Sequence, residues 1–290
     1  MKKIICVILA LMLGACSTKQ VIVKPLYFTL ETLPIMDGST VTIPLDEALV
    51  ATLTEKTIEE VRPYILHSKT HQAYMNLIEG KAQLIFVTSP SEEEIQAAKT
   101  AKVDLEIIPI TAEAFVFLVN KDNPIESLTL EQVRKIYTGE ITNWKEVGGD
   151  DVSIRALQRP INSGSQTGFL DLVMGDLSPM DAPQSWILDY MEGLIASVAQ
   201  YDNAPDAIGY SFYYYVTDME YNPNVKIIKI NGIEANSANI TKASYPICTA
   251  YYAVFRKTEL VDSPVRKIVE YILSEQGQQL MENAGYVKIK

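Results

Sequence analysis

From residue 36 onward the apolar positions switch between two spacings. Leu45, Ala48, Leu49 and Leu53 recur at helical intervals behind the turn M-D-G-S-T at 36–40, where Asp37-Gly38 bends the chain and Ser39 or Thr40 can cap. Ala73, Tyr74, Leu77 and Ile78 repeat the pattern behind H-S-K-T-H at 67–71, with Thr70 as the expected cap and Gly80 as the stop. Residues 82–88 are a near-continuous apolar run, the pattern of a strand covered on both faces. Ser91 and Glu94 form a capping box that opens a helix to about Lys102, and 103–110 read as the next strand. Helix and strand alternate, which predicts an α/β architecture with ligand sites at the carboxyl ends of the strands.

The second half continues the alternation. Residues 114–120 predict a strand, and Thr129 caps a helix through Val133, Ile136 and Tyr137 that stops at Gly139. Trp144 with Gly148-Gly149 reads as a packed turn feeding a strand over 152–157, and 187–198 as a helix. A strand over 207–210 leads into the aromatic run 212–215, read as packing rather than as a stacking platform for sugars or bases. Strands follow over 225–230, turned by Asn231-Gly232, and over 245–256. Ser263-Pro264 caps a closing helix with Val265, Ile268, Val269, Ile272 and Leu273 on its buried face, and Gly285 ends the last helix.

The candidate chemistry concentrates at 158–169, Q-R-P-I-N-S-G-S-Q-T-G-F. Ser163, Gly164 and Ser165 precede an apolar run, so free N–H groups and hydroxyls should project from the start of a helix, an arrangement that cradles anions. Arg159, four residues upstream, can swing over the same spot. A charge pair at ~4 Å is worth about 4 kcal/mol at an effective dielectric near 20, against roughly 0.3–2 kcal/mol for a helix terminus. The arginine would therefore supply most of the charge and the small residues the shape; a flexible Ser/Gly loop beside a surface arginine is the competing reading. His67 and His71 have metal-ligand spacing but lack the H-E-x-x-H glutamate and a third ligand, so no metal or other cofactor is expected. Neither histidine stands near a serine–carboxylate constellation, Ser165 is not the centre of a G-x-S-x-G elbow, and there is no Walker loop, so the expectation is not an enzyme.

Composition sharpens the picture in two ways. The 290 residues hold 25 basic against 36 acidic side chains, net −11, which argues against nucleic acid as a partner. The first residues, M-K-K, an apolar run over 4–13 too short to span a bilayer, then L-G-A-C ending at Cys16, describe an export signal. L-G-A-C resembles the lipobox of bacterial lipoproteins, which implies removal of residues 1–15, lipidation of Cys16 and an envelope location; an ordinary signal peptide with an incidental cysteine is the alternative. Losing Lys2 and Lys3 with the signal leaves 23 basic against 36 acidic residues, or −13. Of the three cysteines only Cys248 then remains unmodified, so no internal disulfide forms.

Taken together, D-G-S-T at 37–40, the block from Asn123 to Gly149 (N-P-I-E-S-L-T-L-E-Q-V-R-K-I-Y-T-G-E-I-T-N-W-K-E-V-G-G), R-x-x-x-S-G-S at 159–165, A-I-G-Y at 207–210, Y-P-I at 245–247 and S-E-Q-G-Q at 274–278 resemble the phosphate-binding receptors of ABC importers, within the type II periplasmic binding proteins. The resemblance runs over residues 36–287. It implies two α/β lobes, each a mostly parallel sheet flanked by helices, joined by two crossover strands. Residues 31–110 plus 247–290 would form lobe 1 and 111–246 lobe 2, behind a lipidated tether at 16–30. It implies a monomer that holds inorganic phosphate or a similar oxyanion between the lobes and delivers it to a membrane permease, anchored by its N-terminal lipid. The family's ligand loops fall on Gly38, Ser39 and Thr40, on Ser68 and Thr70, on Thr88 and Ser89, and on Arg159, Ser163, Gly164 and Ser165. Where such receptors often carry an aspartate that accepts the proton of hydrogen phosphate, this chain has Ser89, which leaves open a different small oxyanion or a phosphorylated ligand, bound or sensed without a dedicated transporter.

Overall fold

A computed structural model describes residues 27–200 and 205–289. The signal segment, Cys6, Cys16 and most of the tether lie outside the described residues. The strands are β1 (Met36–Gly38), β2 (Leu84–Val87), β3 (Leu105–Asn120), β4 (Ser127–Leu128), β5 (Arg155–Ala156), β6 (Ala207–Phe212), β7 (Val225–Ile227), β8 (Lys229–Ile230) and β9 (Cys248–Arg256). The helices are α1 (Ile43–Thr54), α2 (Ile58–Val61), α3 (Thr70–Ile78), α4 (Glu92–Ala101), α5 (Leu130–Thr138), α6 (Gly164–Phe169), α7 (Met191–Ala199), α8 (Ser237–Thr241), α9 (Pro264–Leu273) and α10 (Glu275–Asn283).

The order across the main sheet is β1-β2-β9-β3-β6-β5, with β7 also on β3. One strand organises both lobes. The first part of β3 pairs with β9 as far as Ala114, and from Phe115 its partners are β6 and β7. β3 carries the chain from one lobe into the other and β9 carries it back. The sequence predicts two strands here, over 103–110 and 114–120; the structure joins them. The polar residues that suggest a break find partners inside the sheet: Thr111 Oγ1 accepts the Tyr251 N–H at 3.3 Å, and the Glu113 carboxylate accepts the Ala114 N–H at 2.8 Å. The irregularity survives as a register shift between Pro109 and Thr111.

The sheets are mixed, where the expectation was mostly parallel strands. β1 with β2 and β5 with β6 run parallel, as helical crossovers require. β3 and β9 run against their neighbours because each traverses between lobes opposite to the strands that end at the cleft.

Local chemistry accounts for most helix boundaries. Ser91, Thr129 and Ser263 cap α4, α5 and α9 through their side chains, and Gly139 takes the left-handed conformation after α5. Three elements begin three or more residues later than their patterns suggest. α7 starts at Met191 rather than 187, β9 at Cys248 rather than 245, and only Arg155–Ala156 of 152–157 is strand. The aromatic run divides: Phe212 packs edge-on to Phe115 and Tyr214 stacks on Tyr286, while Tyr215 reaches the space between the lobes. Beneath that space Phe169 stacks on Tyr210 with centroids 4.6 Å apart, tying α6 to β6. No helix among the described residues is long and apolar enough to cross a membrane.

Candidate functional site

The carboxyl ends of β1 and β2 and the loop after β5 open onto one cleft of about 780 Å³. Its first wall is set by a residue that in the sequence shows only as half of a turn. Asp37, fully buried, accepts the N–H groups of Gly38 at 2.7 Å and Ser68 at 2.8 Å and the Asn76 amide at 2.7 Å, so one carboxylate fixes two loops. Gly38 lies behind the cleft wall rather than in it. A Cβ there would fall 2.7 Å from Asp46 Oδ2 and 2.8 Å from Thr42 Oγ1, so close packing is what requires the glycine. Ser39 and Thr40 do line the cleft, and the buried Ser39 hydroxyl has no partner among the described residues.

Ser68 and Thr70 also line it, but Thr70 is the first helical residue of α3 and not its cap. The capping position belongs to Lys69, at φ 69° and ψ 164°, a backbone region that L-residues rarely adopt and that costs about 1–3 kcal/mol. Held there, Lys69 has no side-chain oxygen to offer the first turn of α3, and its ammonium rests 4.4 Å from the centre of the Tyr190 ring across the cleft. The starts of α3 and α7 lack a side-chain cap, and residues at or just before each of them line the cleft; α4, α5, α9 and α10 are capped by Ser or Thr. The uncapped N–H groups of these two helix starts are therefore placed where a ligand could use them.

His67 and His71, four apart, go to separate carboxylates: His67 Nε2 lies 3.1 Å from Asp46 and His71 Nδ1 lies 3.0 Å from Glu94. Burial pushes the Asp46 carboxyl up to about 7, against the opposing pull of His67. Among the described residues no group of three or more His, Cys, Asp and Glu is placed to hold a metal ion. After β2, Thr88 presents a buried, unpartnered hydroxyl to the cleft, whereas Ser89 is half-buried and outside the lining.

The opposite wall is built on Arg159. Its N–H donates to Tyr210 Oη at 2.9 Å and to Gln166 Oε1 at 3.1 Å, and the Tyr210 hydroxyl donates to the same Gln166 oxygen. The guanidinium is aimed by Nε to the Leu188 carbonyl at 2.6 Å and Nη2 to the Asp189 carbonyl at 3.0 Å, leaving Nη1 facing Ser165 Oγ at 3.5 Å. Carbonyls orient a cation without neutralising it. No carboxylate among the described residues lies within ion-pair distance of Arg159, in contrast to Arg155, which pairs with Asp206 at 3.1 Å. Burial draws the Arg159 pKa below its ordinary value. This is a positive charge held half out of water with no carboxylate in contact, although the more distant Asp189 acts on it.

Ser163 caps α6 by accepting the Gln166 N–H at 3.2 Å, after Asn162 in the left-handed region at φ 67°. Ser163, Gly164 and Ser165 all line the cleft. Gly164 meets the other wall, where a Cβ would fall 2.5 Å from Thr70 Oγ1 and 2.6 Å from Thr88 Oγ1. Asn162 also donates across the cleft to Glu93. The structure thus brings nine expected residues to one space and leaves Gly38 and Ser89 outside it. It adds Ser211, a fully buried and unpartnered hydroxyl in β6. The signal for Ser211 was a lone serine in an apolar strand.

A model of the PBP superfamily domain matches residues 35–276. The chain is 27% identical over 212 residues to the phosphate-binding protein PstS of Bacillus subtilis, covering 73% of this chain and 66% of that one. It is 25% identical over 183 residues to the phosphate-binding protein PstS of Borreliella burgdorferi, covering 61% and 64%. It thus spans just under two thirds of the length of these relatives. Among solved structures, a substrate-binding protein assigned to a phosphate ABC transporter of Clostridium perfringens, with bound phosphate, superposes with a TM-score of 0.67 at 26% identity over 88% of this chain and 98% of that one. An ABC-type phosphate transport receptor from Vibrio cholerae gives 0.65 at 23% identity over 87% and 98%, a likeness of fold.

Proposed function

The chain belongs to the PBP superfamily, and from that premise we propose that it is an extracytoplasmic receptor that captures inorganic phosphate between its lobes and hands it to an ABC importer. The observation that carries the reading is the uncompensated Arg159 guanidinium facing Ser165 in a cleft that also holds the unpartnered hydroxyls of Ser39, Thr88 and Ser211. An oxyanion there would neutralise the cation and satisfy the hydroxyls together. The relatives named for phosphate binding support the choice of ligand.

In this reading Ser39, Thr40, Ser68, Thr70 and Thr88 on one lobe and Arg159, Ser163, Gly164, Ser165 and Ser211 on the other act as donors around a tetrahedral anion. Micromolar affinity needs a net of about 8 kcal/mol, within reach of one desolvated charge pair and several charge-assisted hydrogen bonds. Hydroxyls both donate and accept, so they take the proton-bearing oxygen of hydrogen phosphate, yet they reject sulfate less sharply than a carboxylate acceptor would. The family carries and delivers solutes rather than transforming them, and the protein does no chemistry on its ligand. Cys16 is its lipid anchor and residues 1–15 its signal, with lobes divided near residues 110 and 247.

Isothermal titration of the full chain in mild detergent with phosphate and with sulfate tests the reading. One phosphate per chain, with sulfate binding measurably but more weakly, is the expected result; no heat with either anion refutes it.

A further inference from the structure

An oxyanion fills only one end of the cleft. The walls already touch through Gly164 against Thr70 and Thr88, Lys69 over Tyr190 and Asn162 on Glu93, and about 780 Å³ remains between them. Five heavy atoms occupy no more than a few waters' worth of space at ~30 Å³ each. The remainder is the size of a site for an organic molecule.

The lining changes character away from the hydroxyls. Tyr215, 8% exposed, lines the space, and its hydroxyl has no hydrogen-bond partner among the described residues. Burial, then the charges of Glu220 and Glu192, push this phenol up to about 12, and Arg159 acts on it in the opposite sense. Tyr215, Arg159, Glu192 and Glu220 all line one cleft, and the ring is near enough to both signs of charge to be acted on by each. Neither glutamate has an ion-pair partner among the described residues. Glu192, in the first turn of α7, gains something from the helix N-terminus. Glu220 has no such excuse. It follows the last residue of the π turn Tyr215–Met219, at the end of a helical segment where carbonyl oxygens accumulate and a negative charge is disfavoured. For a bare oxyanion, two unpaired carboxylates in the same cleft only repel. They become useful if the ligand is positive at that end.

We propose that the cleft accepts, besides orthophosphate, phosphate monoesters or phosphonates bearing a short alkyl-ammonium arm, with the phosphorus oxygens at Arg159 and the ammonium between Glu192, Glu220 and the Tyr215 ring. This deepens the phosphate-receptor reading and rests on it. An ammonium placed there makes charge-assisted hydrogen bonds and a cation–π contact that a neutral ester of the same length cannot make.

The test is titration of the full chain with orthophosphate, O-phosphoethanolamine, 2-aminoethylphosphonate and ethyl phosphate, repeated on a chain carrying Glu192→Gln and Glu220→Gln. The aminated probes should bind at least about tenfold tighter than ethyl phosphate, and the double substitution should bring that ratio to within about twofold. Equal binding of aminated and neutral esters by the unaltered chain, or an advantage that survives the double substitution, overturns the proposal. If orthophosphate binds and every organic probe fails, the cleft is for the bare anion and only this inference falls. If no probe binds, the phosphate-receptor reading falls with it.

Discussion

Gly164 on one lobe and Thr88 on the other stand so close that a single added carbon on the glycine would lie 2.6 Å from the threonine hydroxyl. The glycine's own backbone is ordinary helix, so its role is to let the loop after β5 meet the end of β2. Gly164→Ala should weaken phosphate binding by about tenfold or more, because the lobes can no longer seat. The melting temperature of the empty protein should shift by only a few degrees, as expected away from the core. Calorimetric titration alongside thermal unfolding checks both; unchanged affinity would mean that this contact plays no part in closure.

Arg159 is positioned from behind by the Leu188 and Asp189 carbonyls, so its charge and its shape can be tested apart. Arg159→Ala should abolish measurable binding at micromolar phosphate. Arg159→Lys, which keeps the charge but loses the planar fork, should retain only a small fraction of the affinity. Thermal unfolding of the empty Arg159→Ala variant should stay near that of the unaltered chain, since removing a partly buried cation that no carboxylate touches offsets the three lost side-chain hydrogen bonds. A large fall in empty-state stability would mark the arginine as structural.

Asp37 makes a different prediction, because it touches the cleft only through Ser68 and the backbone beside it. Asp37→Asn keeps one oxygen for the N–H groups of Gly38 and Ser68 but turns the other into a donor facing the Asn76 amide, at a cost of about 1–3 kcal/mol in a buried site. Urea unfolding should show that loss, with weaker phosphate binding alongside it. Full stability would mean that the two loops hold their register without the carboxylate.

Glu113 lies where β3 exchanges its partners, and burial lifts its carboxyl from 4.5 to about 7. The folded protein thus retains a proton that the unfolded chain releases. The stability this gives is complete below about pH 4.5 and drains away as pH rises through about 7, reaching ~3 kcal/mol for a shift of that size. Thermal midpoints should fall between pH 5.5 and 8.5, and Glu113→Gln should make the slope shallower, the remainder belonging to Asp46, which burial also raises to about 7. An unchanged slope in the variant would assign the pH dependence elsewhere.

Much of this molecule was legible from residue types because local chemistry and tertiary structure agree. Ser91 with Glu94, Thr129 with Gln132, and Ser263 ahead of Pro264 end up as written. The joined strand β3 was not legible: Thr111 and Glu113 look like a break until partners distant in sequence, Tyr251 and Tyr214, are brought to them. Thr70 misled for a related reason. Its hydroxyl matched a cap, but Lys69 takes the strained position instead and α3 is left open toward the cleft. Ser211 and Tyr215 were hidden in an aromatic stretch whose other members do pack, and only the fold separates them.

The most direct test of the whole account is a crystal structure of the chain with one equivalent of phosphate. A tetrahedral peak is expected within hydrogen-bonding distance of the Arg159 guanidinium, of Ser163 or Ser165, and of at least one of Ser39 and Thr88 from the facing lobe. Phosphate bound anywhere else, with Arg159 still engaging only the Leu188 and Asp189 carbonyls, would contradict it.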